Sequence, residues 1–215
     1  MGQKANPIGL RLQIQDTWKS RWFANNQNYK KFLLEDIKIR SALLKRLKLA
    51  GINRVDIERS LRSLRITVFV TRPGIVIGRG GTGMEDLKKF IVSVLSPSLK
   101  TSLPKTDIRV EEVKNADLSA FLVANRISEQ LERRMPHRRV VNKTMEKIMQ
   151  AGAKGVRVVL AGRINGAEIS RREKFFQGSI PLQTLRANID FAKVACLTRS
   201  GYIGCKVWIY KDKTQ

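Results

Sequence analysis

Two short stretches combine residue types suited to holding phosphate. In "RPGIVIGRGGTG", residues 72–83, five glycines (Gly74, Gly78, Gly80, Gly81 and Gly83) surround two arginines. Glycine lets another backbone approach without Cβ collision, and free N–H groups at a following helix start attract anions. In "ERRMPHRRVVNKTMEK", Arg133, Arg134, Arg138 and Arg139 fall within seven residues, dense enough for a phosphate clamp. Arg139, Lys143 and Lys147 then recur every four residues, so on a helix they form one basic stripe able to follow a strand's phosphates. The plainer alternative for that stripe is a solvated charged face.

Other chemistries find little support. "GRGGTG" matches G-x-G-x-x-G formally. However, Pro73-Gly74 interrupts the approach, and no carboxylate stands near Leu103, where a dinucleotide fingerprint needs one. No Lys-Ser or Lys-Thr follows the glycines, which rules against a P-loop. His137 is the only histidine and Cys196 and Cys205 the only cysteines, so no zinc-ligand spacing arises and two reduced thiols are expected. Glu111 and Glu112, and likewise Glu168 and Glu173, have no supporting nucleophile or histidine pattern. No catalytic residue, metal or cofactor is expected.

The charge balance agrees with a polyanionic partner. Lys and Arg total 42 against 18 Asp and Glu, a net charge of +24, while 42% hydrophobic residues suffice for folded domains. No run of about 18 apolar residues occurs, so no membrane span is expected.

The elements that must position these residues are legible from periodicity. Residues 1–28 read as a basic, turn-rich arm, with Trp18, Trp22 and Phe23 as anchors. Leu33, Ile37, Leu44 and Leu47 mark an amphipathic helix over 33–49 with Gly51 as its stop. Val55 and Ile57, then Leu64, Ile66, Val68 and Val70, alternate as two antiparallel strands. A short helix begins at Pro73. The glycine turn leads to a longer helix, with Thr82 and Glu85 at capping-box spacing and Met84, Leu87, Ile91 and Val94 on one face. "DIRVEEV" supplies a third strand. From Asn115, "LSAFLVANRISEQLERR" reads as a helix broken by Pro136, and a second helix runs from about Arg138 to Gly152. Four strands follow: "VRVVLAG", "AEISRREKFF", "IDFAKVACLT" and "CKVWIYK". The class is α+β.

Within this order, Gly78-Arg79-Gly80-Gly81 is a G-x-x-G turn between two helices and resembles that of a KH domain of the helix-first type (type II), with a three-stranded sheet. The resemblance implies that the loop holds an RNA backbone; the alternative is a tight interhelical turn alone. Gly80 occupies a position that is usually basic in such loops.

More motifs extend the likeness: "MGQKANPIGLRL", "RPGIVIG", "QLERR", "GAKGVRV", "GRINGAEISRRE", "IPLQTLRANIDFA" and "YIGCKVWIY". Together they resemble small-subunit ribosomal protein three of the bacterial and organellar type, from Met1 to about Lys211. The resemblance implies an arm at 1–28, a KH domain at 29–114, a C-terminal α+β domain at 115–211 and a short tail at 212–215. It implies binding to ribosomal RNA in the subunit head, and gripping and unwinding of messenger RNA where it enters, without nucleotide hydrolysis. Implied neighbours are small-subunit proteins ten and fourteen in the head and four and five beside the message, in a cytoplasmic or organellar ribosome. No stand-alone homo-oligomer is implied.

The family's unwinding pair falls on Arg138 and Arg139, and its lysine position on Asn142, with Lys143 adjacent. Lys4, Arg11, Arg163, Arg171 and Arg172 are expected to contact ribosomal RNA phosphates. Trp208 and Phe175 read as core rather than base-stacking residues. The competing readings are a free KH-type RNA-binding factor and, more remotely, a nucleotide-dependent enzyme.

Overall fold

A computed structural model describes residues 5–60, 63–95 and 105–211. Lys4, expected to contact RNA, lies outside the described residues. The chain divides into two units: Trp18–Lys114, and the segment through Thr17 together with the residues from Asn115 onward. The N-terminal arm is therefore not one piece. Its first part packs with the C-terminal unit, and its last part joins the central one.

In the central unit, α2 (Asn26–Arg46) precedes β2 (Ile52–Arg59) and β3 (Ser63–Val70), followed by α3 (Pro73–Ile77), α4 (Thr82–Leu95) and β4 (Lys105–Glu112). Alternation buries Val55, Ile57, Leu64, Ile66, Val68 and Val70 on one face of the sheet, as the pattern predicts. They meet Leu87, Ile91 and Leu95 of α4 in a single core. β2 and β3 are antiparallel, β3 and β4 parallel. A fourth, two-residue strand not expected from the sequence, β1 (Ser20–Arg21), extends the sheet beside β2.

The face that α2 buries differs from the expected one. Ile39, Leu43 and Leu47 are buried, whereas Leu33, Ile37 and Leu44 are exposed. The reason is an acid pair. Glu35 and Asp36 turn inward to Arg59, with contacts of 2.7 Å and 2.6 Å. Asp36 also accepts from Trp22 Nε1 and Ser20 Oγ, each at 2.8 Å. Burying two carboxylates is costly unless they are paired and hydrogen-bonded, so this network sets the helix's rotation. Trp22 is thus an anchor, while Trp18 and Phe23 are exposed.

The C-terminal unit opens with α1 (Pro7–Leu10), capped by the Asn6 side chain, which accepts from the Ile8 N–H. It continues with α5 (Ala120–Glu132) and α6 (His137–Gln150), then β5 (Gly155–Gly162), β6 (Arg171–Gly178), β7 (Asn188–Thr198) and β8 (Gly201–Lys211). The sheet is antiparallel, in the order β6-β5-β8-β7. "AEIS", read as the start of a strand, precedes β6 as loop. One sheet face packs under α5 and α6 through Val156, Val158, Leu160, Cys205, Val207 and Ile209. Trp208 is 9% exposed and packs on Phe191, ring centroids 5.0 Å apart, and Phe175 packs against the main core. Both aromatics are core, as read.

Arg11 is not an RNA contact. Its side chain is fully buried in this unit. Nε donates to Ala187 O at 2.8 Å, Nη1 to Pro7 O at 3.1 Å, and Nη2 to Leu182 O and Thr184 O at 3.0 and 2.9 Å. A turn over 181–187 directs carbonyls inward, and the five-donor fork of a guanidinium satisfies them.

Candidate nucleic-acid interface

The glycine loop is shaped by backbone needs that only part of its sequence reveals. Gly78, Gly80 and Gly81 have φ of +71°, +62° and +82°, the left-handed region that favours glycine. A Cβ at Gly80 or Gly81 would meet open space, so their surface stays clear for another molecule. Gly83 differs. A Cβ there would lie 2.5 Å from Val76 O and 2.9 Å from Ile77 O, so its bareness allows α3 to abut the start of α4. The expected capping box does not form: Thr82 already has helical dihedrals (φ −57°, ψ −36°), and its hydroxyl donates to Arg79 O at 3.0 Å. Arg79 is exposed, and Ile75 and Ile77 add an exposed apolar shoulder that periodicity did not flag.

In the C-terminal unit, the Ser119 side chain caps α5, and Arg134, with φ +59°, makes the tight turn into α6 before Pro136. The arginine-rich cluster then divides. Arg139, Lys143 and Lys147 line a groove of about 220 Å³ between the helices, and Arg126 and Gln130 of α5 complete it. The stripe predicted from spacing is present, while its α5 partners carried no sequence signal. Arg126 also pairs with Asp117, which fixes its position.

Arg138, one residue from Arg139, belongs to another depression, with Arg171 and Glu173. Consecutive helical residues diverge by about 100°, so the pair cannot share one face. Arg134 and Arg163 border a third concavity, of about 720 Å³, together with Arg199. Arg163 is exposed and its Nε donates to Ala167 O at 2.8 Å. Arg133 ends α5 as an exposed residue. Arg172 alternates to the opposite sheet face from Arg171.

A residue dismissed for metal binding organises this region. His137 is buried, with Nδ1 3.0 Å from Asn165 Oδ1 and Nε2 2.9 Å from Glu173 Oε2. These contacts tie the first residue of α6 to the 164–166 turn and to β6, fixing Arg138 near Arg171. Asn165 takes φ +56° to reach it. The partners lie 28 and 36 residues away, beyond any local pattern. Cys205 is buried and its thiol pushed up to about 12 by desolvation, and Cys196 Sγ donates to Ser128 O. Neither thiol is placed for chemistry. Among the described residues no group of His, Cys, Asp and Glu is arranged to hold a metal ion.

Comparison with known proteins agrees with both halves. Residues 38–118 match the KH domain family, and residues 127–209 the family described as ribosomal protein S3, C-terminal domain. The chain is 43% identical over 99% of its length to the small ribosomal subunit protein uS3 of Clostridium acetobutylicum, covering 93% of that protein. The proteins of the same name from Hydrogenovibrio crunogenus and Persephonella marina are 44% and 46% identical, over 99% and 98% of this chain and 90% of each of theirs. Identity of this extent across both units places the chain, without ambiguity, in the small ribosomal subunit protein uS3 family.

Proposed function

We propose that this protein is a structural constituent of the small ribosomal subunit head, where it binds ribosomal RNA and grips incoming messenger RNA along α6. The carrying observation is the convergence of Arg126, Arg139, Lys143 and Lys147 on one groove between α5 and α6. Four cations at that spacing match a run of phosphates, and a rigid scaffold reduces the ordering cost of each contact. Arg138 and Arg171 extend the basic surface on the next face. Unwinding would follow from holding one strand apart as the ribosome advances, with no nucleotide hydrolysed by this chain. The loop Gly78-Arg79-Gly80-Gly81 offers a second backbone contact. Neighbouring subunit proteins complete the setting, and the bacterial source of the relatives favours a cytoplasmic ribosome over an organellar one.

The test is Arg138→Ala with Arg139→Ala in ribosomes translating matched messages with and without a stable hairpin. Greater loss on the structured message supports the reading. Equal loss on both would point to an assembly defect. A chain sedimenting apart from the small subunit would instead make it a free RNA-binding factor.

A further inference from the structure

The C-terminal sheet has a second face, opposite α5 and α6, that carries a charge pattern in which only Arg172 has so far been given a role. Strand register places its outward side chains in cross-strand rows. One row runs Lys174, Val159, Lys206, Lys193 across all four strands. The next runs Arg172, Ala161, Gly204, Ala195. On the other side, Arg157 stands between Phe176 and Trp208. None of these outward positions carries a carboxylate. Among the described residues, no ion pair neutralises Arg157, Arg172, Lys174, Lys193 or Lys206.

Lys193 and Lys206 are directly opposed on adjacent antiparallel strands. Like charges in that position destabilise a sheet, so the pairing costs the free protein stability. The half of this face near Trp208, including Val159 at the centre of the lysine row, is filled by Ile180, Leu182 and Ala187. The other half is open. Its floor is small, with Ala161 and Ala195 exposed and no Cβ at Gly204, and Tyr202 stands 69% exposed beyond it. A flat floor edged by cations, with an aromatic ring at one end, suits a sugar-phosphate backbone with a base stacked beside it.

We propose that this sheet face is a second RNA-binding surface, in which Lys174, Lys193 and Lys206 hold one phosphate backbone. The inference rests on the RNA-binding reading of the chain but concerns a surface separate from the α5–α6 groove. An acidic protein segment would satisfy the charge equally. Leu197, opposite Tyr202, and Phe176 add exposed apolar area at the margins of this face, but the run of cations without one carboxylate favours the repeating phosphates of RNA.

The test uses the full chain and an oligouridylate probe, with affinity measured across a salt series. Three proteins are compared: the unaltered chain, Lys174→Gln with Lys193→Gln and Lys206→Gln, and a groove variant, Arg139→Ala with Lys143→Ala. Removing three single-strand phosphate contacts should lower the slope of log affinity against log salt by roughly 2, with a loss of about tenfold or more at moderate salt. The triple variant should melt no lower than the unaltered chain at low salt, since repulsion is relieved. If the triple variant does not fold, Lys193→Gln alone should lower the slope by about 0.7.

An unchanged slope in the lysine variant alongside a reduced one in the groove variant would overturn this inference and leave the RNA-binding reading intact. No change in either would overturn both. Lysines shielded from amine acetylation in assembled subunits, with RNA affinity of the variant unchanged, would assign the face to an acidic protein and likewise overturn the proposal.

Discussion

Arg11 Nε donates to the carbonyl of Ala187 across 176 residues at 2.8 Å. That bond belongs to a guanidinium surrounded by main-chain oxygens, which makes the N-terminal segment part of the C-terminal unit. Arg11→Ala would leave those buried carbonyls unpaired, and the lost hydrogen bonds of a buried charge predict destabilisation of about 3–5 kcal/mol. Calorimetry should show the transition of the C-terminal unit falling while that of the central unit holds. An unaltered melting profile would remove Arg11 from the fold's support.

The glycine loop separates folding from binding. Gly83→Ala drives a Cβ against Val76 O and Ile77 O, an overpacking that should cost about 1–3 kcal/mol in denaturant titrations. Gly80→Asp meets open space at φ +62°, a conformation Asp tolerates, so stability should change by no more than about 1 kcal/mol. Its carboxylate would nevertheless repel phosphate and reduce RNA affinity several-fold. RNA binding indifferent to Gly80→Asp would leave the loop a turn and nothing more.

Along α6, Asn142 stands four residues after Arg138, while Lys143 stands four after Arg139 in the groove. Asn142→Lys should therefore add one phosphate contact on the Arg138 side, steepening the salt dependence for single-stranded RNA by about 0.7. Lys143→Ala should flatten it by a similar amount. Because the sites occupy different faces, the two effects should add in the double variant. Filter binding across salt decides it, and a flat response to Lys143→Ala would discount the groove.

Asp56 gives the central unit a pH signature. Its side chain is mostly buried on β2, Oδ1 finds no partner among the described residues, and desolvation raises its carboxyl above the ordinary value despite Arg54 at 2.9 Å. A raised carboxyl favours the protonated folded state, so its contribution is greatest below the unfolded value and is lost as pH rises through the folded one. Asp56→Asn should stabilise the protein near neutrality, with the advantage shrinking as pH falls into the carboxylate range. Melting temperatures across pH test the sign; a gain that grows in acid would contradict it.

Local order was legible because it depends on neighbours in the chain. Alternation at Leu64, Ile66, Val68 and Val70 predicts strand β3 and its inward face, and the four-residue spacing of Arg139, Lys143 and Lys147 predicts one helical stripe. The G-x-x-G turn between two helices is likewise read from adjacent residues. The same local logic misled at α2, where Leu33 and Ile37 suggested a buried face. Arg59 claims Glu35 and Asp36 instead, and a paired buried charge outweighs an apolar stripe left half exposed.

The sequence by itself determined the strongly basic character, the α+β class, the two-part organisation and the placement of cations along each element, since charge and periodicity are properties of short windows. Only the tertiary structure decided which cations share a surface. It buried Arg11, brought Arg126 of α5 to the Arg139 stripe, joined His137 to Glu173 and aligned Lys174, Lys206 and Lys193 in one row. Each of these follows from strand register and helix packing between segments far apart in the chain, and a one-residue change of register would send every strand side chain to the opposite face.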